Sequence, residues 1–198
     1  MKPYSESCEQ NRDPILEALQ PRLTDCRRLL EIGSGTGQHA VYFGAAMPHL
    51  SWQTSDREEN LPGICMWLEE AGLANVHAPL LLDVEQDIWP EVEVQAVFSA
   101  NTAHIMHWSQ VQALFAGVGR LLPEMGSFFL YGPFNYNGRY TSESNRSFDA
   151  WLKARDPQGG VRDFEALNEL AEQAGMVLEE DIGMPANNRI LHWCKSVR

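Results

Sequence analysis

A glycine-rich turn is the part of the sequence best suited to holding a ligand. Residues 33–37 read Gly-Ser-Gly-Thr-Gly and directly follow the apolar run Arg28–Ile32, which predicts a strand. Glycine tolerates unusual backbone dihedrals and lets a ligand approach the main chain closely. The spacing is GxGxG, with Glu31 two residues before the first glycine, whereas a dinucleotide-binding GxGxxG turn would need a glycine where Gln38 stands. The turn therefore predicts a nucleotide-like ligand other than NAD.

Two more acidic residues follow the next two predicted strands. Asp56 comes just after the run at residues 50–54, about twenty residues beyond the glycines, where a carboxylate can accept hydrogen bonds from ribose hydroxyls. Asp83 follows the run at residues 79–82 and can accept a hydrogen bond from an adenine amino group. Together with Glu31, these acids suit a positively charged sulfonium cofactor better than a phosphate.

Candidate side chains for catalysis follow the predicted fourth and fifth strands. His104 lies just after the fourth strand and is the preferred general base, although a base is needed only if the reacting atom must lose a proton. Asn101 and Tyr131 are the other candidates, and His107 fits a capping or packing role better. Residues 131–141 form a loop rich in Gly, Asn and aromatic residues, which can cover a pocket.

Strand-like runs alternate with helical patterns along the chain. Strands are predicted at residues 28–32, 50–54, 79–82, 96–99, 127–131, 176–182 and 189–194, and helices at 37–47, 61–71 and 164–174, with a further helix capped by Ser109. This alternation predicts an α/β fold with a doubly wound, mainly parallel sheet. The short link between the last two strands makes them an antiparallel pair, so one strand runs backwards. Ligands in such sheets bind beyond the carboxyl ends of the strands, where the candidate residues lie.

Size and charge narrow the function further. With 198 residues, the chain is expected to form a single domain, residues 1–198. Its 15 basic and 27 acidic residues give a net charge of −12, which disfavours nucleic acid as a partner and favours a small molecule.

The positions of the cysteines and of the apolar residues indicate whether metal sites, disulfides or membrane spans are expected. The four cysteines are widely spaced and form no CxxC pair, so neither a metal site nor a disulfide framework is expected. No signal-peptide pattern is found, and no apolar run approaches the roughly 20 residues of a membrane span. A cytoplasmic protein without membrane association is expected, and the sequence leaves its oligomeric state open.

These motifs resemble those of a known group of proteins. The glycine turn, Asp56 and Asp83 are similar to the first three motifs of class I S-adenosylmethionine (SAM)-dependent methyltransferases, whose Rossmann-like seven-stranded sheet has an antiparallel last strand. More narrowly, the chain resembles the domain-of-unknown-function 938 family, also called the methyltransferase-like protein 26 family. The resembling segments cover nearly the full length: residues 9–16, 33–37, 99–105, 131–134, 140–145, 154–156 and 184–188.

The resemblance implies that SAM is the cofactor and that its methyl group passes in line to a small-molecule acceptor. The residues it implies for cofactor binding are Arg12, Glu31, Gly33, Ser34, Gly35, Gly37, Asp56, Arg57, Asp83, Val84, Ala100 and Asn101. Among these, Arg12 would bind the methionyl carboxylate, Asp56 the ribose and Asp83 the adenine, with the turn at Asn101 beside the sulfonium. The implied catalytic residues are His104, Asn101 and Tyr131.

Two other functions stay open on the sequence. An NAD-dependent oxidoreductase lacks support because the third glycine position is missing and because Tyr136 and Tyr140 are not followed by a lysine in a TyrxxxLys pair. A non-catalytic SAM-binding module, acting as a sensor or partner subunit, is compatible with the absence of a clear catalytic base. A deep acceptor pocket would favour the enzyme over this module.

Overall fold

The computed structural model describes residues 2–197, which form six α-helices and nine β-strands. The helices are α1 (Glu6–Leu19), α2 (Gln38–Ala46), α3 (Leu61–Ala71), α4 (Trp108–Leu121), α5 (Glu143–Arg155) and α6 (Phe164–Gln173). The strands are β1 (Arg28–Ile32), β2 (Ser51–Asp56), β3 (Val76–Leu81), β4 (Ala96–Ala100), β5 (Ser127–Gly132), β6 (Phe134–Asn135), β7 (Arg162–Asp163), β8 (Met176–Gly183) and β9 (Arg189–Lys195). In this described part of the chain, no helix combines the length and apolar character needed to cross a membrane.

Seven strands form one sheet in the order β3-β2-β1-β4-β5-β9-β8, and β6 and β7 form a separate parallel pair. Strand β1 is parallel to β2 and β4, and β2 is parallel to β3. Strand β9 is antiparallel to both of its neighbours, β5 and β8, because the link at residues 184–188 is too short for a parallel crossover. The predicted α/β fold, a mainly parallel seven-stranded sheet with a reversed last strand, is confirmed.

The chain divides into two compact units, Met1–Ser99 and Ala100–Arg198. In the first unit, Phe43 of α2, Trp52 of β2 and Phe98 of β4 pack with ring centroids 5.5 to 6.0 Å apart. Every residue of β1 after Arg28 is buried, as expected for a central parallel strand covered on both faces. This packing fixes the carboxyl end of β1, from which the glycine turn begins.

In the second unit the core lies along β5 and β9. Phe115 of α4, Phe128 of β5 and Trp193 of β9 contact one another with ring centroids 5.3 to 5.6 Å apart. All residues of β5 after Ser127 are buried. The carboxyl end of β5 is therefore held firmly where the loop at residues 131–141 begins.

Strand boundaries differ from the predicted ones where polar residues lie inside strands. Strand β2 ends at Asp56 itself, two residues later than expected, and β3 begins at Val76 although Pro79 lies within it. Strand β3 is at the edge of the sheet, which is where a strand can accommodate a proline.

The predicted N-cap of α4 was wrong. The helix begins at Trp108, before the predicted cap Ser109, and His107 is the N-cap residue. The His107 side chain accepts from a backbone N–H of the first turn, and the backbone N–H of His107 donates to Gln110 Oε1 at 2.9 Å, forming a capping box. The preferred capping role of His107 is confirmed, since a ring nitrogen can replace the usual hydroxyl acceptor.

Candidate functional site

All three glycines of the turn require backbone conformations that other residues avoid. Gly33, Gly35 and Gly37 have φ angles of +75°, +59° and +89°, in the left-handed region that only glycine enters without cost. The backbone N–H groups of Gly33 and Ser34 both donate to the carbonyl of Ser55, each at 3.0 Å. The turn is therefore tied directly to the neighbouring strand β2.

The space around the glycines distinguishes a packing position from a ligand position. A Cβ atom at Gly37 would lie 3.2 Å from the Cα of Ile64, so this glycine allows α3 to pack closely. A Cβ atom at Gly35 would meet nothing within 4 Å. Gly35 thus borders open space in which a ligand can approach the main chain.

The carboxylate of Asp56 holds the turn in place. Its Oδ2 accepts the N–H of Gly35 at 2.7 Å, and its Oδ1 accepts from the Arg57 N–H at 2.7 Å and from the Asn60 side-chain amide at 2.8 Å. The residue is only 7% exposed. A carboxylate offers about four acceptor positions, so binding two ribose hydroxyls requires one of these donors to move.

Glu31 is the most deeply buried acid of the turn, with 2% of its surface exposed. Its Oε2 accepts the indole N–H of Trp52 at 3.1 Å. Burial raises the pKa of Glu31 to about 7; hydrogen bonds from Trp52 and Ser34 oppose this rise, and the negative charge of Asp56 adds to it, within the same net value. A cationic ligand nearby would favour the ionised form of this carboxyl group.

The end of β3 lies beside the end of β2. The N–H of Leu82 donates to the carbonyl of Asp56 at 2.9 Å. Asp83 accepts the N–H of Glu85 at 3.0 Å and so closes its own turn, a common role for aspartate in loops. The carbonyl of the buried Val84 accepts from the Trp89 indole at 3.3 Å. Since β3, β2 and β1 are adjacent in the sheet, the structure places the three predicted acids at neighbouring strand ends.

The two predicted arginines make contacts of a different kind. Arg12, on α1, pairs with Glu9 at 2.5 Å and lies over the ring of Tyr42 at 4.5 Å from its centroid. Its Nε donor is buried without a hydrogen-bond acceptor. The side chain of Arg57 pairs with Glu59 at 2.8 Å, with both side chains more than half exposed. Only the backbone of Arg57 contacts the turn, through Asp56.

Two side chains at the start of α2, Gln38 and His39, fasten the N-terminal segment to that helix. The side chain of Gln38 accepts the N–H of Ser5 at 2.6 Å and donates to its carbonyl at 3.3 Å. The ring of His39 hydrogen-bonds Asn11 at 2.7 Å, and burial lowers the pKa of His39 to about 4. The one available signal was the position of these two residues, directly after Gly37.

In the second unit, the turn after β4 is bonded to the end of β5. Asn101 has a φ of +58°, which asparagine tolerates better than most residues. Its N–H donates to the carbonyl of Tyr131 at 2.9 Å. Tyr131 is buried, with 4% of its surface exposed. Two of the three predicted catalytic residues are therefore joined through their backbones.

His104 is held in a largely apolar setting. The residue is 7% exposed, and its ring meets Phe148 edge-on at a centroid distance of 5.1 Å. Burial, with a smaller effect from the nearby Arg162, lowers the pKa of His104 to about 4. The ring is therefore neutral near pH 7, with a lone pair able to accept a proton.

The backbone around His104 is fixed by Arg162, which the sequence did not identify. The Nε of this arginine donates to the carbonyl of Ala103 at 3.0 Å, and its Nη2 donates to the carbonyl of Met106. The N–H of Gly160 donates to the carbonyl of His104 at 2.9 Å. The segment that carries the histidine is thus tied to residues just before and within β7.

A buried aspartate on α5 organises the same region. Asp149 accepts the N–H of Val161 at 2.8 Å, the hydroxyl of Tyr140 at 2.6 Å and the ammonium of Lys153 at 2.7 Å. These three donors lower the pKa of Asp149 despite its burial. The sequence did not predict this role, because Asp149 is a polar residue within a helix and its partners Tyr140 and Val161 lie outside that helix.

Solved structures with the same fold are methyltransferases. Human N-acetylserotonin methyltransferase in complex with SAM matches with a TM-score of 0.82 and 15% identity over 97% of this chain and 53% of that one. The SAM-dependent methyltransferase SibL matches with a TM-score of 0.81 and 19% identity over 96% and 56%. A family 2 O-methyltransferase from Planctomyces limnophilus, complexed with apigenin, has a TM-score of 0.75 and 16% identity over 93% and 61%. The chain spans little more than half the length of these proteins.

One family model covers almost the whole chain. It is described as "Protein of unknown function (DUF938)" and matches residues 2–195. The match extends from the start of the N-terminal segment to the end of β9, so it includes the glycine turn and every predicted site residue.

Replacing Glu31 by Gln should flatten the pH dependence of stability. Folding raises the pKa of Glu31 from 4.5 to about 7, so the folded state holds this proton more tightly than the unfolded chain. The contribution to the free energy of unfolding therefore falls as pH rises through this window, by on the order of 2–3 kcal/mol between about pH 5 and pH 8. Urea denaturation of the parent and the variant at both pH values measures the difference.

The exposed Glu17 on α1 provides the matched control. Its replacement by Gln should leave the pH dependence of the parent unchanged. If Glu31→Gln and Glu17→Gln show the same pH dependence, the carboxyl group of Glu31 is not the buried proton acceptor described.

Proposed function

The chain belongs to the DUF938 family, and from this membership and its fold we propose that it is a SAM-dependent methyltransferase acting on a small molecule. The family match agrees with the resemblance seen in the sequence. The open space at Gly35, beside buried acids at adjacent strand ends, is the observation that carries the proposal.

The residues around this space fit the proposed cofactor. A cation is favoured next to the buried carboxyl groups of Glu31 and Asp56, and SAM carries a sulfonium charge and an ammonium group. Once bound, SAM would supply a methyl group already activated by its sulfonium. The exposed backbone at Gly35 allows the close approach that a nucleoside needs.

The predicted cofactor residues of the first unit each have a role in the proposed binding, except Arg57, whose side chain pairs with Glu59. Gly33, Ser34, Gly35 and Gly37 shape the surface for the methionyl portion and the ribose. Asp56 accepts from the ribose, and Asp83 and the backbone of Val84 contact the adenine. The Nη2 of Arg12 is paired with Glu9, whereas its buried Nε has no hydrogen-bond acceptor among the described residues. This free N–H donor supports binding of the methionyl carboxylate, because a guanidinium N–H bonds strongly to an anion.

For methyl transfer the protein mainly has to align SAM with the methyl acceptor and to exclude water from the site. His104 is neutral near pH 7, so it can take the proton of an acceptor hydroxyl at its ring nitrogen. Asn101 and Tyr131 position the acceptor beside it. A small-molecule acceptor agrees with the net charge of −12, and the Planctomyces neighbour was solved with the small molecule apigenin.

One observation favours the non-catalytic alternative. The pKa of His104 is about 4, whereas an efficient general base has a pKa near the working pH. His104 is therefore a weaker base than catalysis prefers. A SAM-binding module would need the cofactor contacts and no base. Formation of demethylated SAM in the presence of an acceptor separates the two functions.

Asp56→Ala should weaken SAM binding. The variant loses an acceptor for the ribose and leaves the N–H of Gly35 unpaired. A lost hydrogen bond to a charged group costs about 1.5–3 kcal/mol, so the Kd should rise about 10- to 150-fold. Calorimetry measures the Kd, with Glu58→Ala, an exposed neighbour, as a control that should match the parent. An unchanged Kd in a folded Asp56→Ala protein would rule out the ribose contact.

His104→Gln should slow methyl transfer while leaving SAM affinity unchanged. Loss of a general base reduces rates on the order of 10²- to 10⁴-fold. The assay measures demethylated SAM formed with apigenin as a phenolic probe, and His107→Gln, which alters a helix cap, should keep the parent rate. Because the pKa of His104 is about 4, the parent rate should be flat above about pH 5. Equal rates in the two variants would contradict a catalytic role.

A further inference from the structure

Two buried oxygen atoms on the β6–β7 pair lack hydrogen-bond donors. Asn135 Oδ1 and Asp163 Oδ1 are two of the three buried side-chain polar atoms without a partner among residues 2–197. Asn135 is 9% exposed, and its amide nitrogen reaches the carbonyl of Val161 only at 3.5 Å. Buried acceptors in folded proteins are nearly always paired, so two unpaired ones in one place indicate a missing donor.

The two residues are direct partners across the strand pair. Asn135 of β6 is in register with Asp163 of β7, and the strands are parallel. Partner residues in such a pair project to the same face, on strands roughly 4.8 Å apart. A single chemical group with several donors can therefore reach both oxygens.

The pair lies next to the segment that carries the candidate base. Phe134 and Arg162 form the preceding pair of the same two strands. The side chain of Arg162 is bonded to the carbonyl of Ala103, and Gly160 is bonded to that of His104. The unpaired oxygens are thus one register position away from Arg162, whose side chain bonds the backbone beside His104.

We propose that Asn135 and Asp163 bind a protonated amino group of the methyl acceptor, which makes the substrate a small amine. An ammonium has three donors and no acceptor, so it satisfies both oxygens and neutralises the carboxylate. A hydroxyl has one donor and leaves one oxygen unpaired. The net charge of −12 also draws cations towards the protein. This inference rests on the proposed methyltransferase function.

The test compares two probes that differ only in the amine. Tyramine and 4-ethylphenol share a phenol, but only tyramine carries an ammonium group. Calorimetry with the full chain, without cofactor, should give at least roughly tenfold tighter binding for tyramine. Asp163→Asn should remove this preference and leave 4-ethylphenol binding unchanged. Asp163 makes no side-chain cap bond to α6, so the variant loses no helix cap.

Glu165→Gln is the matched control, because Glu165 is an exposed carboxylate two residues after Asp163. The Glu165→Gln variant should retain the preference for tyramine. Equal binding of the two probes by the parent chain, which needs no variant to fold, would overturn the proposal. So would a preference that survives Asp163→Asn, since the carboxylate of Asp163 would then not be what binds the ammonium.

A parallel assay of demethylated SAM separates this proposal from the wider function. Tight tyramine binding without any methyl transfer would leave the amine site standing and contradict the methyltransferase. Methyl transfer to both phenols without preference for tyramine would support the methyltransferase and overturn the amine site.

Discussion

The hydrogen bond between the carboxylate of Asp56 and the N–H of Gly35 joins the last residue of β2 to the middle of the glycine turn. Together with the two bonds from the turn to the carbonyl of Ser55, it holds three glycines at positive φ beside an open space. The neighbouring strand β2 supplies the acceptors for the N–H groups of Gly33 and Gly35, and the carbonyl of Ser34 within the turn accepts the N–H of Gly37, so each of these N–H groups is paired. The proposed cofactor surface therefore depends on β1 and β2 being adjacent, parallel and in register.

Burial sets the charge state of the groups proposed to do chemistry. Desolvation disfavours charge in either sign, which raises the pKa of Glu31 and lowers that of His104. In the first unit this leaves a carboxyl group whose ionisation responds to a bound cation. In the second unit it leaves a neutral imidazole. Both states follow from the same physical cause, although one concerns cofactor binding and the other concerns the acceptor.

The sequence was sufficient for elements defined by local signals. Strand β1 and helix α3 have the predicted bounds, because an apolar run ends at a glycine turn in one case and at the left-handed Gly72 in the other. Helices α1 and α5 were not predicted. Only two and three of their residues are buried, so the apolar periodicity that signals a helix is weak.

The site was predictable only in part, for a related reason. Glycines and acids at the ends of strands can be predicted from their position in the sequence, since parallel strands bring their carboxyl ends together. Arg162 and Asp149 act on backbone far away in the sequence, and such contacts exist only once the chain has folded. The unpaired oxygens of Asn135 and Asp163 could not be predicted from the sequence either, because only the folded structure shows which buried acceptors have no donor.

The central claim is that the glycine turn and its acids bind SAM in preference to a dinucleotide. Calorimetric titration of the full chain with SAM, and separately with NAD under the same conditions, tests it most directly. The account predicts one SAM bound per chain and little or no heat from NAD, since the GxGxG spacing and the flanking carboxyl groups suit a sulfonium and not a pyrophosphate. Tighter binding of NAD than of SAM would contradict it.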